Sequence, residues 1–460
     1  MRTTVIALLA LVWFSGCTLI PDYQRPGAPV PENMASSEIG SGLAAAELPW
    51  RDFIQDAELR QLIELSLENN RDLRLAALQV EQVRVLYKIQ REELYPSLYG
   101  GAGGSRSGTS RDLLGPNDAR ITEVYHANLS LLSWEIDFFG RLRSLSEKAL
   151  QEYFATDQAR RGAQILLVSS VANGYLAVAA ERESLQLAED TFKSQQEAYE
   201  LIKRQFSGGL VAELDLRRAQ IPRDVARADI ARCRQRVAAA ENALQLLVGS
   251  SLPTELLPAS LADVAMPATF ASGLSSQVLL QRPDILAAEH QLRAAYANIG
   301  AARAAFFPNI ALIGSLGTAG TELQRLFERG TSAWSFGTQL SVPIFDARVW
   351  SAYRVSKVQR EIAITQYEKA IQNAFRETAD ALALCKNISD QLDAQKDLVE
   401  ATEKTYSLAR IRYEEGTDNY LSVLDAQRSM FSAQQELISL KLAEHSSRLQ
   451  LYAVLGGGVQ

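Results

Sequence analysis

Cysteine and histidine are scarce in this chain, three of each in 460 residues. That excludes a disulfide framework, and no spacing among them matches a metal site. Basic charge is in deficit: 47 Lys and Arg stand against 54 Asp and Glu, a net charge of -7, which argues against a nucleic-acid binder. Beyond the first 17 residues the sequence reads as lacking an 18-residue apolar stretch, which would exclude a polytopic helical membrane protein. The signatures of common enzymes are missing as well: there is no GxxxxGK[ST], HExxH or GxSxG. His126, His290 and His445 are isolated and read as surface, loop or helix-packing residues, so no enzyme and no cofactor are expected. What is present, 47% hydrophobic and 22% charged residues, belongs to a folded chain, and its length alone would suggest about three domains.

The amino terminus reads as a signal peptide over residues 1–16: Arg2 supplies the positive charge, Val5 to Phe14 is apolar, and Ser15-Gly16 precede Cys17. The ending resembles a bacterial lipobox, with Phe14 in place of the usual aliphatic residue. That resemblance implies lipid on Cys17, and Thr18, where Asp would favour inner-membrane retention, implies an outer-membrane destination. The alternative is an ordinary secretory signal with a chance cysteine. Several acyl chains at about 0.8 kcal/mol per CH₂ would give a stable anchor. Pro21, Pro26, Pro29 and Pro31 then make residues 17–55 an extended tether.

Laid on itself, the chain repeats. Asp72 through Arg91 and Pro96 match Asp284 through Arg303 and Pro308, an offset of 212; from Phe138/Phe345 through Gly209/Gly416 to Gly249/Gly456 the offset is 207. The first copy therefore carries a loop five residues longer. This predicts a duplicated domain rather than a short-repeat array. The first repeat covers 56–249 with a β-hairpin at 96–139. The second covers 283–456 with a hairpin at 308–345. Residues 250–282 connect them, and 457–460 form a tail. In each repeat a helix (56–93; 283–305) ends before a proline and two alternating stretches follow. The glycine runs Gly100–Gly104 and Gly314–Gly317 could cradle phosphate, but no Lys-Ser/Thr follows them.

Next comes a proline-free helical pattern, 141–207 and 348–415, about 100 Å long at 1.5 Å per residue. Ile371, Phe375, Thr378, Leu382, Cys385, Ile388 and Leu392 step by three and four, as do Ile230, Cys233, Val237, Ala240, Leu244 and Leu247 on the returning helix. That is coiled-coil rhythm, and it makes Cys233 and Cys385 core thiols rather than redox or metal groups. Pro222 should kink the returning helix. Gly209 and Gly416 should reverse the chain.

Strands of this length cross a bilayer when tilted, but four strands cannot close a barrel. Closure requires oligomers, eight strands from a dimer or twelve from a trimer, and a conducting tube favours the trimer.

Trp134 through Arg141, Arg282-Pro283-Asp284-Ile285, Ile299 through Pro308, Val423 through Arg428 and Leu455 through Gly458 resemble the outer membrane factor lipoproteins of tripartite efflux pumps, the OprM and TolC type. The resemblance covers essentially all of the mature chain. It implies a mixed α and β fold: a homotrimeric 12-stranded barrel on a periplasmic helical tunnel. It also implies a periplasmic adaptor and an inner-membrane transporter of the resistance-nodulation-division type as partners. In the OprM branch a leucine, an aspartate and an arginine after the second reversal constrict the tunnel; the matching positions are Leu421, Asp425 and Arg428. Spacing alone favours an ordinary exposed pair for Asp425 and Arg428. In the first repeat Leu214 matches Leu421, and Arg218 stands where Asp425 does. The reversals, Gly208-Gly209-Leu210-Val211 and Gly416-Thr417-Asp418-Asn419, are the expected adaptor-docking tips. The alternative reading is a coiled-coil spacer lipoprotein without a pore.

Overall fold

The computed structural model describes residues 18–31, 48–116, 118–267 and 276–457. Cys17, the signal segment and residues 458–460 lie outside the described residues. In chain order the main elements are α1 (Ala57–Asn69), α2 (Arg71–Glu92), β1 (Leu98–Gly108), β2 (Ile121–Glu135), α3 (Arg141–Ser207), α4 (Glu213–Val248), α5 (Pro283–Ala304), β3 (Asn309–Gly320), β4 (Ser332–Ser341), α6 (Ala347–Glu414) and α7 (Tyr420–Val454). Both ends of α2 and α5 differ by 212 residues, while the ends of α3 and α6 and the starts of α4 and α7 differ by 207.

Two compact units draw on both halves of the sequence: one takes Met1–Gly27, Gln79–Thr156 and Ala287–Tyr367, the other Ala28–Leu78, Asp157–Leu286 and Glu368–Gln460. The first holds the strands. The two expected hairpins are one antiparallel sheet in the order β1-β2-β3-β4, because β2 also pairs with β3. Register sorts the side chains. Leu98, Leu131, Leu129, Leu316, Trp334 and Phe336 fall on one face, whereas Ser130, Asn128, Ser315 and Ser335 fall on the other. Between Leu131 and Trp134 the register with β3 slips by one residue, a bulge. The extra residue keeps Trp134 on the apolar face and turns Glu135 to the polar one. The apolar face is bare: Leu98, Leu129, Leu316, Trp334 and Phe336 are all exposed.

Residues 18–27 belong to the same unit and form no regular element, yet they are held. Tyr23 donates to Glu289 Oε1 at 3.1 Å, Arg25 pairs with Glu289, and Arg303 donates to the Leu19 carbonyl at 3.2 Å.

The second unit is helical. The helix expected over 56–93 is in fact two, because Asn70 leaves helical geometry at ψ 130. Its Oδ1 accepts from the amides of Asp72 and Leu73, capping α2, and its Nδ2 donates to the Leu247 carbonyl. One expectation fails outright: Ala163 through Ala180 of α3 carry no charge, and α3 does contain an 18-residue window apolar enough to span a membrane. Half of that window is buried inside the protein, with Val171, Ala172, Val178 and Ala179 at 0% exposure, so it is core packing. Ser169, Ser170 and Asn173 disguise the run in the sequence. The seam residues Ile371, Thr378, Leu382, Ile388 and Leu392 are buried, as are Cys233 and Leu244. Cys385 is half-buried, and burial raises its thiol pKa. α4 continues through Pro222.

Candidate functional site

The two helix reversals lie in the helical unit, built by the same backbone device. After α3, the Gly209 amide bonds the Phe206 carbonyl and the Leu210 amide reaches Gln205; after α6, Gly416 bonds Tyr413 and Thr417 reaches Arg412, each at 2.9–3.0 Å. This is the Schellman arrangement, which needs a left-handed residue at its corner. Gly209 and Gly416 supply it at φ 74 and 72, with open space where a Cβ would stand. The loops then differ. Asn419 caps α7, its side chain accepting from the Ser422 amide at 3.2 Å, and Asp418 accepts from the Ser422 hydroxyl at 2.9 Å. Ala212 begins α4 with no side-chain cap. Backbone and side-chain donors hold the Asp418 carboxyl below its ordinary pKa, the Asn419 amide foremost.

Beneath the reversals a cluster of Ile202, Ala219, Tyr420 and Val423 joins the two helix pairs, with Tyr199, Tyr406 and Tyr413 packed around it. The Tyr413 and Tyr420 rings are 5.2 Å apart, and the Arg223 guanidinium lies 4.2 Å over the Tyr199 ring. Burial, then the neighbouring Tyr413 and Tyr406, push the Tyr420 hydroxyl up to about 12. The tips are thus mutually packed, although Gly208, Gly209 and Leu210 themselves stay exposed.

Leu421, Asp425 and Arg428 line one groove, where α7 meets Arg218, Pro222 and Val225 of α4 and Thr191 and Gln195 of α3. Asp425 and Arg428 form an ion pair, and both remain more than half exposed. Leu421 is 47% exposed. Arg218, the first-repeat counterpart of Asp425, lines the same groove and lies 3.9 Å from Asp215. So the geometry of an exposed pair and the gathering of the expected gate residues coexist. Sequence reasoning missed Thr191 and Gln195 and gave Pro222 only a kink; all three enter the groove through tertiary packing. It also gave no role to Arg282, buried at 8% exposure and bonded to the Val454 carbonyl, Asp284 and Glu377. Its place in the Arg-Pro-Asp-Ile motif was the available signal.

Among the described residues no group of His, Cys, Asp or Glu could hold a metal ion. His290 bonds Gln151 at 2.7 Å, His445 is buried, and burial lowers both pKa values, the behaviour of packing histidines.

A sequence-family model described as outer membrane efflux protein matches residues 62–250 and 274–457. SrpC of Pseudomonas putida, named a solvent efflux pump outer membrane protein, is 43% identical over 465 residues, covering 100% of this chain and 99% of its own length. CusC of Escherichia coli O157:H7, named a cation efflux system protein, is 41% identical over 454 residues, covering 97% of this chain and 96% of its own. A CusC crystal structure covers 96% of this chain and 100% of its own at TM-score 0.86 and 40% identity. The open-state structure of the Neisseria gonorrhoeae MtrE outer membrane channel covers 96% and 99% at TM-score 0.88 and 37% identity.

Proposed function

The chain belongs to the outer membrane efflux protein family, and on that footing we propose that it is the passive exit duct of an efflux pump, built from three copies. The observation that carries this reading is the sheet, apolar on one face, polar on the other, and unpaired along both β1 and β4. In a bilayer such edges must pair, and about eight strands is the smallest barrel. Three copies give twelve strands and a lumen lined by the polar face.

The same reading assigns the remaining parts. Lipid on Cys17 anchors the chain in the outer membrane. Leu421 forms an apolar ring near the inner end of the duct, and Asp425 a like-charge ring that favours cations, with Arg428 as its countercharge. The reversals at Gly208–Val211 and Gly416–Asn419 receive the helical hairpin of a periplasmic adaptor, and the energy comes from an inner-membrane transporter of the resistance-nodulation-division type. SrpC and CusC take their names from solvent and cation export, so the cargo is set by the transporter rather than by this chain.

Purified protein in planar lipid bilayers tests the reading. A duct gives heat-resistant trimers and discrete ion conductance; a coiled-coil spacer conducts nothing, and that result would refute the proposal.

A further inference from the structure

The groove that gathers Leu421, Asp425 and Arg428 has a second wall to which the duct reading gives no role. It encloses about 360 Å³, the size of a small-molecule site rather than a bed for a helix. Every lining residue belongs to the helical unit of one chain, so the groove does not depend on assembly. On α4, Ile221 and Val225 stand one turn apart at 63% and 54% exposure, and Leu421, Leu424 and Phe431 complete the apolar lining from α7.

Charge on the wall is balanced, with Arg218 and Arg428 against Asp229 and Asp425, and each of the four has an opposite partner. Arg428 pairs with Asp425, Arg218 lies 3.9 Å from Asp215, and Arg232 holds Asp229 at 3.1 Å. An ion entering the groove would have to break one of these pairs, so the wall suits a neutral occupant.

Two acceptors of the wall are short of a donor. Pro222 has no N–H, so the Arg218 carbonyl, one turn earlier in α4, lacks its helical donor. Gln195 is 5% exposed, and its Oε1, closed off from solvent, finds no partner among the described residues. A buried acceptor without a donor is costly and rare. We propose that the groove binds a small neutral molecule with an apolar body and one hydrogen-bond donor, of the phenol or alcohol class. The body lies on Ile221, Val225 and Phe431, and the donor draws the Gln195 amide toward the groove and bonds its Oε1. Seated there, the molecule also touches Leu421.

Full-length protein in lipid nanodiscs tests the site with two probes. One is 1-naphthol, neutral at pH 7; the other is 1-methylnaphthalene, which keeps the rings and carries a methyl group in place of the hydroxyl. Both also enter lipid, so the readout is hydrogen exchange segment by segment. 1-Naphthol should slow exchange at residues 191–195, 218–229 and 421–431 with a saturating dose response, and leave β1 to β4 unchanged. 1-Methylnaphthalene should need about tenfold more for the same protection, the worth of one hydrogen bond. Gln195→Leu should erase that difference while helical content and trimers are kept. Val225→Trp, and independently Ile221→Trp, fill the groove from half-exposed positions and should abolish the protection. Absence of local protection in the parent overturns the proposal, and so does equal protection by the two probes, the mark of an adventitious additive only. Protection that survives both Trp variants places the probe elsewhere and overturns it too. None of these results bears on conductance, so the site and the duct stand or fall separately.

Discussion

An exposed carboxylate three residues from a guanidinium on a helix contributes only a few tenths of a kcal/mol, so Asp425 and Arg428 do little for the stability of α7. Leu421, 47% exposed on the same helix, does little more. Three residues that cost almost nothing to change, yet gather on one groove with Arg218, are suited to a role in passage rather than folding. Leu421→Ala with Asp425→Ala should leave thermal unfolding nearly unmoved, a change below about 0.5 kcal/mol, while raising single-channel conductance in planar bilayers. Unchanged conductance would remove these side chains from the constriction. The positions themselves could be read from the sequence through the repeat and the family pattern. The other wall of the groove could not, because Thr191 and Gln195 carry no pattern of their own and Pro222 reads only as a proline inside a helix.

At the scale of elements, what was legible was what local chemistry dictates. The strands appeared as alternation, the long helices as a proline-free rhythm of three and four, and the corners as Gly209 and Gly416. The features that stayed hidden depend on distant partners. Asn70 breaks the first helix because its amide finds the Leu247 carbonyl, and the bulge before Trp134 is visible only against β3. The apolar window of α3 was overlooked because two serines and an asparagine interrupt it, although its neighbours bury half of it. The two tips also differ in a way the shared glycine conceals: α7 has the Asn419 cap and α4 has none. Asn419→Ala should therefore lower stability by about 1 kcal/mol, read as earlier hydrogen exchange at residues 420–424, whereas Ala212→Asn should slow exchange at the start of α4. The Asp418 carboxyl, held below its ordinary value, adds support at neutral pH that fades as acid protonates it. Equal exchange in the Asn419 variant and the parent would show that the cap does not hold this tip.

At the scale of the whole chain, the segment after Cys17 is more than a tether. From Leu19 to Arg25 six residue steps can reach about 20 Å at 3.3 Å each, and from Arg303 to Glu289 fourteen helical residues span about 21 Å at 1.5 Å each. The two rises match, so this strap can lie antiparallel along α5 with its contacts in step. Gly300 leaves the room: a Cβ there would come within 2.6 Å of Ile20. Glu289 is the latch, a carboxylate 4% exposed that takes Tyr23, Arg25 and Arg293. Burial pushes its pKa up, but the hydrogen bonds from Arg25, Arg293 and Tyr23 outweigh burial and hold it below the ordinary value. A depressed carboxyl stabilises above its unfolded pKa and stops doing so as pH falls through the folded one, so the strap should be fastened at neutral pH and loosen in acid. Because Arg25 and Arg293 are each 43% exposed, the latch is worth only about 1–2 kcal/mol. Glu289→Gln should therefore raise hydrogen exchange at residues 19–26 at pH 7 to the level the parent reaches only in acid, with β-strand protection unchanged. If the parent and the variant exchange alike across that range, Glu289 does not fasten the strap, and residues 19–26 are held by the packing of Ile20 on α5 instead.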